Sequence, residues 1–407
     1  MRPTSKLNVI TFGCRLNALE SETMRRRAAE AGIADAVLVN TCAVTAEAVR
    51  QARQAIRHAK REQPHRPVIV AGCAAQIDPD GFAAMPEVDR VLGNAEKLDA
   101  VAYASDQRVR VGDIMAVRTA STAATTIPGH TRGFVEIQNG CDHRCTFCVI
   151  PLGRGNSRSV PMATVIGNVR ALVEAGHGEV VLTGVDITSY DAPNLGTLVR
   201  AILRDVPELR RLRLSSIDSI EADRDLIIAI AEEERLMPYL HLSLQHGDDL
   251  ILKRMKRRHA RADAVRFTDA VRRLRPDIVF GADLIAGFPT ETDAMAAQSL
   301  ALVDDCGLTT LHVFPYSPRP HTPAARMPQV DGATIHARAA ALRTKGARAF
   351  AAHLAAEQGT TRRLLVENGG VGRTPQFTPA RIDATPGTFV DARIVGHNGR
   401  GLIAEAA

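Results

Sequence analysis

Residues 133–148 read GFVEIQNGCDHRCTFC: an apolar run, GFVEI, and soon after it Cys141, Cys145 and Cys148 in CxxxCxxC spacing. Three thiolates in so tight a run make an iron–sulfur ligand set with one vacancy. A four-iron cubane takes a ligand on every iron, usually four cysteines, so three leave one iron open to a group that is not protein. The competing readings are a zinc site completed by His143 or three unrelated buried thiols. Zinc usually joins two CxxC-like halves far apart in sequence, which this run lacks.

Downstream, strand and helix signals alternate to about residue 325. The strand candidates are GFVEI, EVVLTG, RLRLSS, YLHLSL, IVFGADLIAG and TLHVFPY, separated by stretches such as MATVIGNVRALVEAG and ADAVRFTDAVRRLR. Six βα units with the cysteine loop after the first strand predict a partial TIM-like (βα)6 barrel, its site at the strands' C-terminal ends. Polar residues at those ends should line the mouth: Thr183, Gly184, Asp186, Ser215, Ser216, Ser243, Gln245, Asp283 and Gly287. Each alone is commonly a cap or turn residue, and Gly287 before Phe288-Pro289 fits a turn.

Upstream, a second cysteine triplet has a different form. NVITFGC ends at Cys14, AVLVNTC at Cys42 and VIVAGC at Cys73, each closing a Val/Ile-rich run and preceding a helix-like segment. In an open parallel α/β sheet the loops after the strands emerge along one edge, where ligands bind. The three cysteines are thus placed to converge as a second three-thiolate set, although small buried cysteines at strand ends are also common core residues. Asn17 and Glu20 fit residues that cap and orient the loop, with a helix starting at LNALESE. Cys306, after SLALVDD, reads as a packed or partly exposed thiol without a function.

Between these regions RTASTAATTIPGHT, residues 118–131, has linker composition. A helical region spans about residues 331–357, and beyond it RRLLVENGG, PARIDA, TFVDARIVGHNG and LIAEAA predict a small β-barrel. The predicted organisation is α/β with three domains, 1–117, 132–350 and 351–407. The 407 residues carry a net charge of +6 and seven cysteines. No apolar stretch is long enough for a membrane span, and the basic start turns strand-like too soon for a secretory signal. Reduced cysteines serving metal in a cytoplasmic protein are therefore expected. Charge is concentrated at Lys253–Arg275, with ten Lys/Arg against Asp263 and Asp269, and along Arg50, Arg53, Arg57, Lys60 and Arg61 at helical spacing. Each cluster alone reads as a solvated face; together they suit a phosphate backbone. Lys253, Arg254, Lys256, Arg257, Arg258 and Arg261 are the RNA-binding candidates.

The CxxxCxxC run with Phe147 before its last cysteine resembles the radical S-adenosylmethionine (SAM) enzymes. The whole chain resembles the methylthiotransferases, through GCRLNALES, NTCAVT, AGCAAQ, NGCDHRCTFCVIP, RLRLSSID, HLSLQHGDDLILKRMKRRH, LIAGFPTET and FPYSPRPHTPAARM. The resemblance implies two 4Fe–4S clusters, one on Cys141, Cys145 and Cys148 that binds SAM, and an auxiliary one on Cys14, Cys42 and Cys73. It implies a 5′-deoxyadenosyl radical that takes a hydrogen from an unactivated carbon, delivery of sulfur there, and a methyl group from a second SAM. It makes the strand-end residues above candidate SAM contacts and the last domain a TRAM-like barrel. It also implies tRNA, an electron donor such as flavodoxin or ferredoxin, and a sulfur source as partners. LTGVDIT and LKRMKRRH look most like the type acting on carbon 2 of threonylcarbamoyladenosine beside the tRNA anticodon. Isopentenyladenosine in tRNA and an aspartate of a ribosomal protein are the alternatives within the family. Asp186, where many relatives carry Asn or His, and His321, where Gly is common, depart from the pattern. A non-catalytic iron–sulfur or zinc RNA-binding protein is the rival from another class.

Overall fold

Two Val-rich runs, VLVNT and VIVAG, form the buried middle of the N-terminal sheet, and a third, NVIT, forms its edge. The computed structural model describes residues 7–120 and 125–407. Strands β1 (Asn8–Thr11), β2 (Val37–Thr41), β3 (Val68–Gly72), β4 (Arg90–Leu92) and β5 (Val109–Arg110) lie side by side in chain order, all parallel. Every residue of β2 and β3 is buried, as expected of strands covered on both faces. Helix α1 (Arg15–Glu30) follows β1, and helix α2 (Ala46–Glu62) follows β2. In α2, Ala52, Ile56 and Ala59 face inward at helical spacing, and the Thr45 side chain caps the start by accepting from the Ala48 amide. β4 and β5 are too short to stand out as periodic runs in the sequence.

By compactness the chain divides into two units. The first comprises residues 1–121, 138–159 and 317–322, so the loop with the second cysteine triplet belongs with the N-terminal sheet. The second comprises residues 122–137, 160–316 and 323–407. This cut differs from the sequence boundaries: the linker reading of 118–131 falls partly on residues 121–124, outside the described residues, and one helix, Gly332–Glu357, runs through the expected boundary at 350.

In the second unit, β6 (Arg132–Asn139), β8 (Glu179–Gly184), β9 (Arg211–Leu214), β10 (Ser216–Ile217), β11 (Tyr239–Gln245), β12 (Val279–Ala286) and β13 (Leu308–Pro315) supply the expected strands. The short β7 (Arg158–Ser159) pairs antiparallel with the last residues of β6, Gln138 and Asn139, within the first unit. β9 and β10 are one strand bent at Ser215: its first half pairs with β8 and its second with β11. That bend curls the strands into a partial barrel. Along β11 and β12, Leu240, Leu242, Leu244, Phe280, Ala282 and Leu284 are buried, and Tyr239, His241, Ser243, Gln245 and Asp283 share the opposite, more polar face.

The tail is a closed barrel in the order β14 (Thr361–Glu367), β15 (Val371–Arg373), β16 (Pro379–Arg381), β18 (Leu402–Ala406), β17 (Phe389–His397). Its core is Leu364, Val366, Ala380, Ile382, Ala392, Ile394 and Leu402, joined by Leu354 from the long helix. Guanidinium groups fasten it to the βα strands. Arg211 and Arg213 donate to the carbonyls of Arg373 and Pro375 at 3.2 and 3.1 Å, and Arg132 pairs with Glu367 at 2.8 Å. The Phe377 ring meets Arg132, Arg213 and Arg373 at 4.9, 4.8 and 4.8 Å.

Candidate functional site

Parallel register brings the ends of β1, β2 and β3 together, with Thr11 opposite Asn40 and Thr41 opposite Gly72. Cys42 and Cys73 are the next residues after β2 and β3, and Cys14 follows β1 by way of Phe12 and Gly13. Gly13 has φ +96°, and a Cβ there would stand 2.7 Å from the Cys42 Cβ and 2.8 Å from its Sγ, so only glycine lets this loop pass. Burial, with Cys73 and Cys14 as close negative neighbours, pushes the Cys42 thiol up to about 11. No disulfide forms among the described residues.

The second triplet lies in the same unit. Its loop is held by backbone bonds from Cys141 N to Gly155 O and from Cys148 N to Cys145 O, both 3.1 Å. Asp142 accepts from the Ser157 amide at 3.0 Å and Arg144 donates to Asn156 at 2.8 Å. The short helix Ile150–Arg154 then lies against the first triplet: Gly153 is so near Cys73 that an added Cβ would be 3.2 Å from that residue's Cβ. Asn94 bridges them, donating to Cys73 Sγ at 3.6 Å and to the Gly153 carbonyl.

A cavity of about 500 Å³ in this unit is lined by Ala43, Ala74 and Val149, the residues directly after Cys42, Cys73 and Cys148, and by Phe82, Arg319 and His321. Residues adjoining members of both triplets therefore border one space. His321 has φ +67°, a left-handed conformation that glycine adopts without cost, which accounts for the glycine common at this turn. Each triplet is an all-thiolate donor set one short of a cubane's four, a fit to a cluster with an open iron.

Arg154 and Lys97 escaped the sequence reading, and the structure revises the roles of the residues they meet. Asn17 and Glu20 are not helix caps. The N-cap of α1 is Cys14, whose side chain makes no cap bond. Asn17 Nδ2 instead holds the carbonyls of Phe12 and Thr41 at 2.7 and 3.1 Å. Glu20 takes a bidentate pair from Arg154, both bonds 2.8 Å, and a third from Lys97 at 2.7 Å. Burial pushes the Glu20 carboxyl up, but Arg154 and Lys97 outweigh it and hold it at about 2. Cys306 is fully buried, and burial pushes its thiol up to about 11.

The strand-end candidates lie in the second unit. Thr183 and Gly184 close β8, Ser215 and Ser216 stand at the β9–β10 bend, and Ser243 and Gln245 end β11. Gln245 has φ +66°, a strained value for a side chain of that size. Asp186 accepts from Thr188 and Ser189 hydroxyls at 3.1 and 2.8 Å, organising the turn that follows it. Gly287 has φ +75°, its amide bonds Glu291 at 2.7 Å, and Ile335 occupies the space of a Cβ. Asp283 sits on the polar face, accepting from His241 at 2.9 Å and His312 at 3.2 Å. Burial raises its carboxyl, yet the two imidazoles hold it at about 2. The alternate-residue pattern of YLHLSL and TLHVF carried the signal for this triad.

The basic run is less basic in three dimensions. Arg257, its side chain 7% exposed, is committed to Asp218 at 2.5 Å and the Ser243 carbonyl at 2.8 Å, so it is a structural residue and not a surface contact. Arg258 and Arg261 pair with Glu221 and Asp305, and Arg254 donates to Thr290 at 2.7 Å. Lys253 and Lys256 are exposed. The count from sequence missed these carboxylates because they arrive from other elements. On α2, Arg50, Arg53 and Lys60 pair with Glu47, Asp78 and Asp89, while Arg57 and Arg61 remain exposed beside Gln54 and Phe12. Among the described residues no helix is long and apolar enough to cross a membrane.

Comparison with known proteins gives two family matches, the Radical SAM superfamily over residues 135–303 and the Uncharacterized protein family UPF0004 over residues 6–93. A threonylcarbamoyladenosine tRNA methylthiotransferase, MtaB, of Rickettsia prowazekii is 46% identical, covering 97% of this chain and 96% of that protein. A tRNA-2-methylthio-N(6)-dimethylallyladenosine synthase of Cereibacter sphaeroides is 33% identical over 100% of this chain and 99% of its own length. Among solved structures, the radical SAM methyltransferase TsrM of Kitasatospora setae aligns with a TM-score of 0.57 at 17% identity, over 79% of this chain and 77% of that one, a likeness of fold.

Proposed function

This chain belongs to the radical-SAM methylthiotransferase family, and we propose that it converts threonylcarbamoyladenosine beside the tRNA anticodon to its 2-methylthio form. One observation carries the reading: a single cavity, roomy enough for a nucleoside, is flanked by residues adjoining both cysteine triplets. The relative with the higher identity over nearly full length bears the same substrate in its name.

The family implies a 4Fe–4S cluster with SAM and a second cluster. In our reading Cys141, Cys145 and Cys148 hold the first, and Cys14, Cys42 and Cys73 the second. When bound, these groups supply reductive cleavage of SAM and a carrier for sulfur. The chain's own residues position and shield. Ala43, Ala74, Phe82 and Val149 give the cavity apolar walls that exclude water from reactive species. Thr183, Gly184, Ser215, Ser216, Ser243 and Gln245 contact SAM, whereas Asp186 and Gly287 already have turn-forming roles. Lys253, Lys256 and the outward face of Arg258 meet tRNA phosphates. The N-terminal sheet, the βα region and the C-terminal barrel act as three functional domains, the last beginning after the helix that ends at Glu357. An electron donor such as flavodoxin or ferredoxin and a sulfur source complete the system, which works in the cytoplasm alongside tRNA.

The test is mass spectrometry of nucleosides from bulk tRNA treated anaerobically with reconstituted protein, SAM, sulfide and reductant. Methylthiolated threonylcarbamoyladenosine is the expected product. Methylthiolated isopentenyladenosine instead would keep the reaction and replace the substrate. Formation of 5′-deoxyadenosine with both nucleosides unchanged would refute a tRNA substrate.

A further inference from the structure

The first unit buries an uneven set of charges. Arg154 and Lys97, 2% and 0% exposed, share one carboxylate, Glu20, at 3%. Two cations against one anion leave an uncompensated positive charge in the interior, which costs several kcal/mol unless an anion lies close by. Arg154 is also the most constrained of the three. Besides the bidentate Glu20 pair, its Nη2 donates to Asn17 Oδ1 at 2.6 Å and its Nη1 reaches Asn139 Oδ1 at 3.4 Å. Geometry ties it to the first triplet: Gly153, the preceding residue, lies against Cys73, and Asn17, which accepts from Arg154, also holds the Phe12 carbonyl in the loop leading to Cys14. In sequence Arg154 sits six residues after Cys148, at the end of the helix that touches Cys73. A guanidinium so held cannot turn away to solvent.

We propose that Arg154 is the electrostatic partner of the group held by Cys14, Cys42 and Cys73, setting its reduction equilibrium while tying the segment of the second cysteine triplet to it. The inference rests on the two-cluster reading above. Three thiolates on an oxidised 4Fe–4S core give a net negative charge, and one added electron makes it more negative. A fixed cation nearby favours the reduced form, and a nearby carboxylate disfavours it. Arg154 and Glu20 therefore act with opposite sign on the same equilibrium, although both belong to one network. Arg154 is a positioning residue, not a catalytic one.

The experiment is an anaerobic dithionite titration of the reconstituted full-length protein followed by electron paramagnetic resonance, with SAM added to mark the cluster whose signal it alters. The electron comes from dithionite and no other bond changes. Arg154→Gln should lower the one-electron reduction constant of the SAM-insensitive cluster at least tenfold, which is about 59 mV. Glu20→Gln should raise it, and Arg154→Lys, which keeps the charge, should restore most of the loss. Shifts of the same sign in Arg154→Gln and Glu20→Gln, or no shift in either, overturn the inference. Should Arg154→Gln fail to fold, the direction of Glu20→Gln alone decides. Iron and sulfide analysis separates the premises: wild-type protein with iron for one cluster refutes the two-cluster reading, and this inference with it. Iron for two clusters with unmoved potentials refutes only the role of Arg154.

Discussion

Gly72 is the position at which the geometry of the first cysteine triplet is most exposed to a single methyl group. It ends β3 at φ +98° and ψ −173°, a region essentially reserved for glycine and costing other residues about 1–3 kcal/mol. A Cβ there would stand 2.5 Å from both the backbone N and O of Thr41 and 2.6 Å from Asn40 Oδ1. The Thr41 atoms are main chain, so relief must come from the strands moving apart. Thr41 and Gly72 form the last pair of the β2–β3 ladder, with Cys42 and Cys73 next on each strand. Gly72→Ala should therefore cost about 3 kcal/mol or more, conformational strain plus a lost rung, and separate two of the three thiols. Gly32→Ala is the control: φ is +81° with nothing within 4 Å of the new methyl, so the cost is about 1 kcal/mol of backbone strain alone. Denaturant unfolding of the apo-protein gives the stabilities, and iron and sulfide per chain after reconstitution give the occupancy. The expected result is a Gly72→Ala protein retaining iron for one cluster and a Gly32→Ala protein retaining iron for both. If the two variants unfold alike and bind equal iron, the close approach at the strand ends is not what organises this site.

Other outcomes follow from particular groups. Cys42→Ala should still cleave SAM but lose methylthiolation; intact thiolation would remove the first triplet from the reaction. Reversal of Lys253 and Lys256 to Glu should weaken tRNA binding and flatten its salt dependence by roughly the share of two phosphate contacts, and an unchanged slope would return that stretch to a solvated face. Arg257→Glu should instead destabilise the fold, because it sets a second carboxylate against buried Asp218, and wild-type stability would contradict that pairing. The Glu20 carboxyl lies at about 2, below its usual 4.5. A lowered folded-state pKa gives stability that is full above the unfolded value and is lost as pH falls through the folded one, on the order of 3 kcal/mol here. Apo-protein unfolding compared at about pH 6 and about pH 3 should show roughly 2 kcal/mol of that loss, since the lower pH still lies above the folded value, and Glu20→Gln should reduce it. Identical pH dependence in both proteins would count against the network.

The chemistry-bearing residues were legible because cysteines are rare and their spacing is local. Cys141, Cys145 and Cys148 lie within one loop, and the other three each close a strand, a slot that apolar runs mark plainly. The supporting charges were not legible. Arg154 and Glu20 are 134 residues apart, and nothing in either neighbourhood announces the other. The basic run failed similarly: Arg257 meets Asp218 from 39 residues away, so counting charge along the chain overstated the surface. Short elements were lost for want of period, as with β4, β5 and the three-residue β15. The boundary at 350 was missed because helical propensity continues without a break through Glu357.

The fastening of the C-terminal barrel has a consequence for how the chain can be taken apart. Arg211 and Arg213, nearly inaccessible to solvent, spend hydrogen bonds on carbonyls of the barrel, and a rigid helix of about 39 Å delivers the chain into it. The barrel is thus a keystone and not a pendant. Clipped after Glu357, the remainder would keep the Arg213–Glu179 pair but lose the carbonyl partners that the barrel gives Arg211 and Arg213, so grafting this barrel onto another enzyme, or deleting it to make a minimal one, would damage the host as well as the passenger.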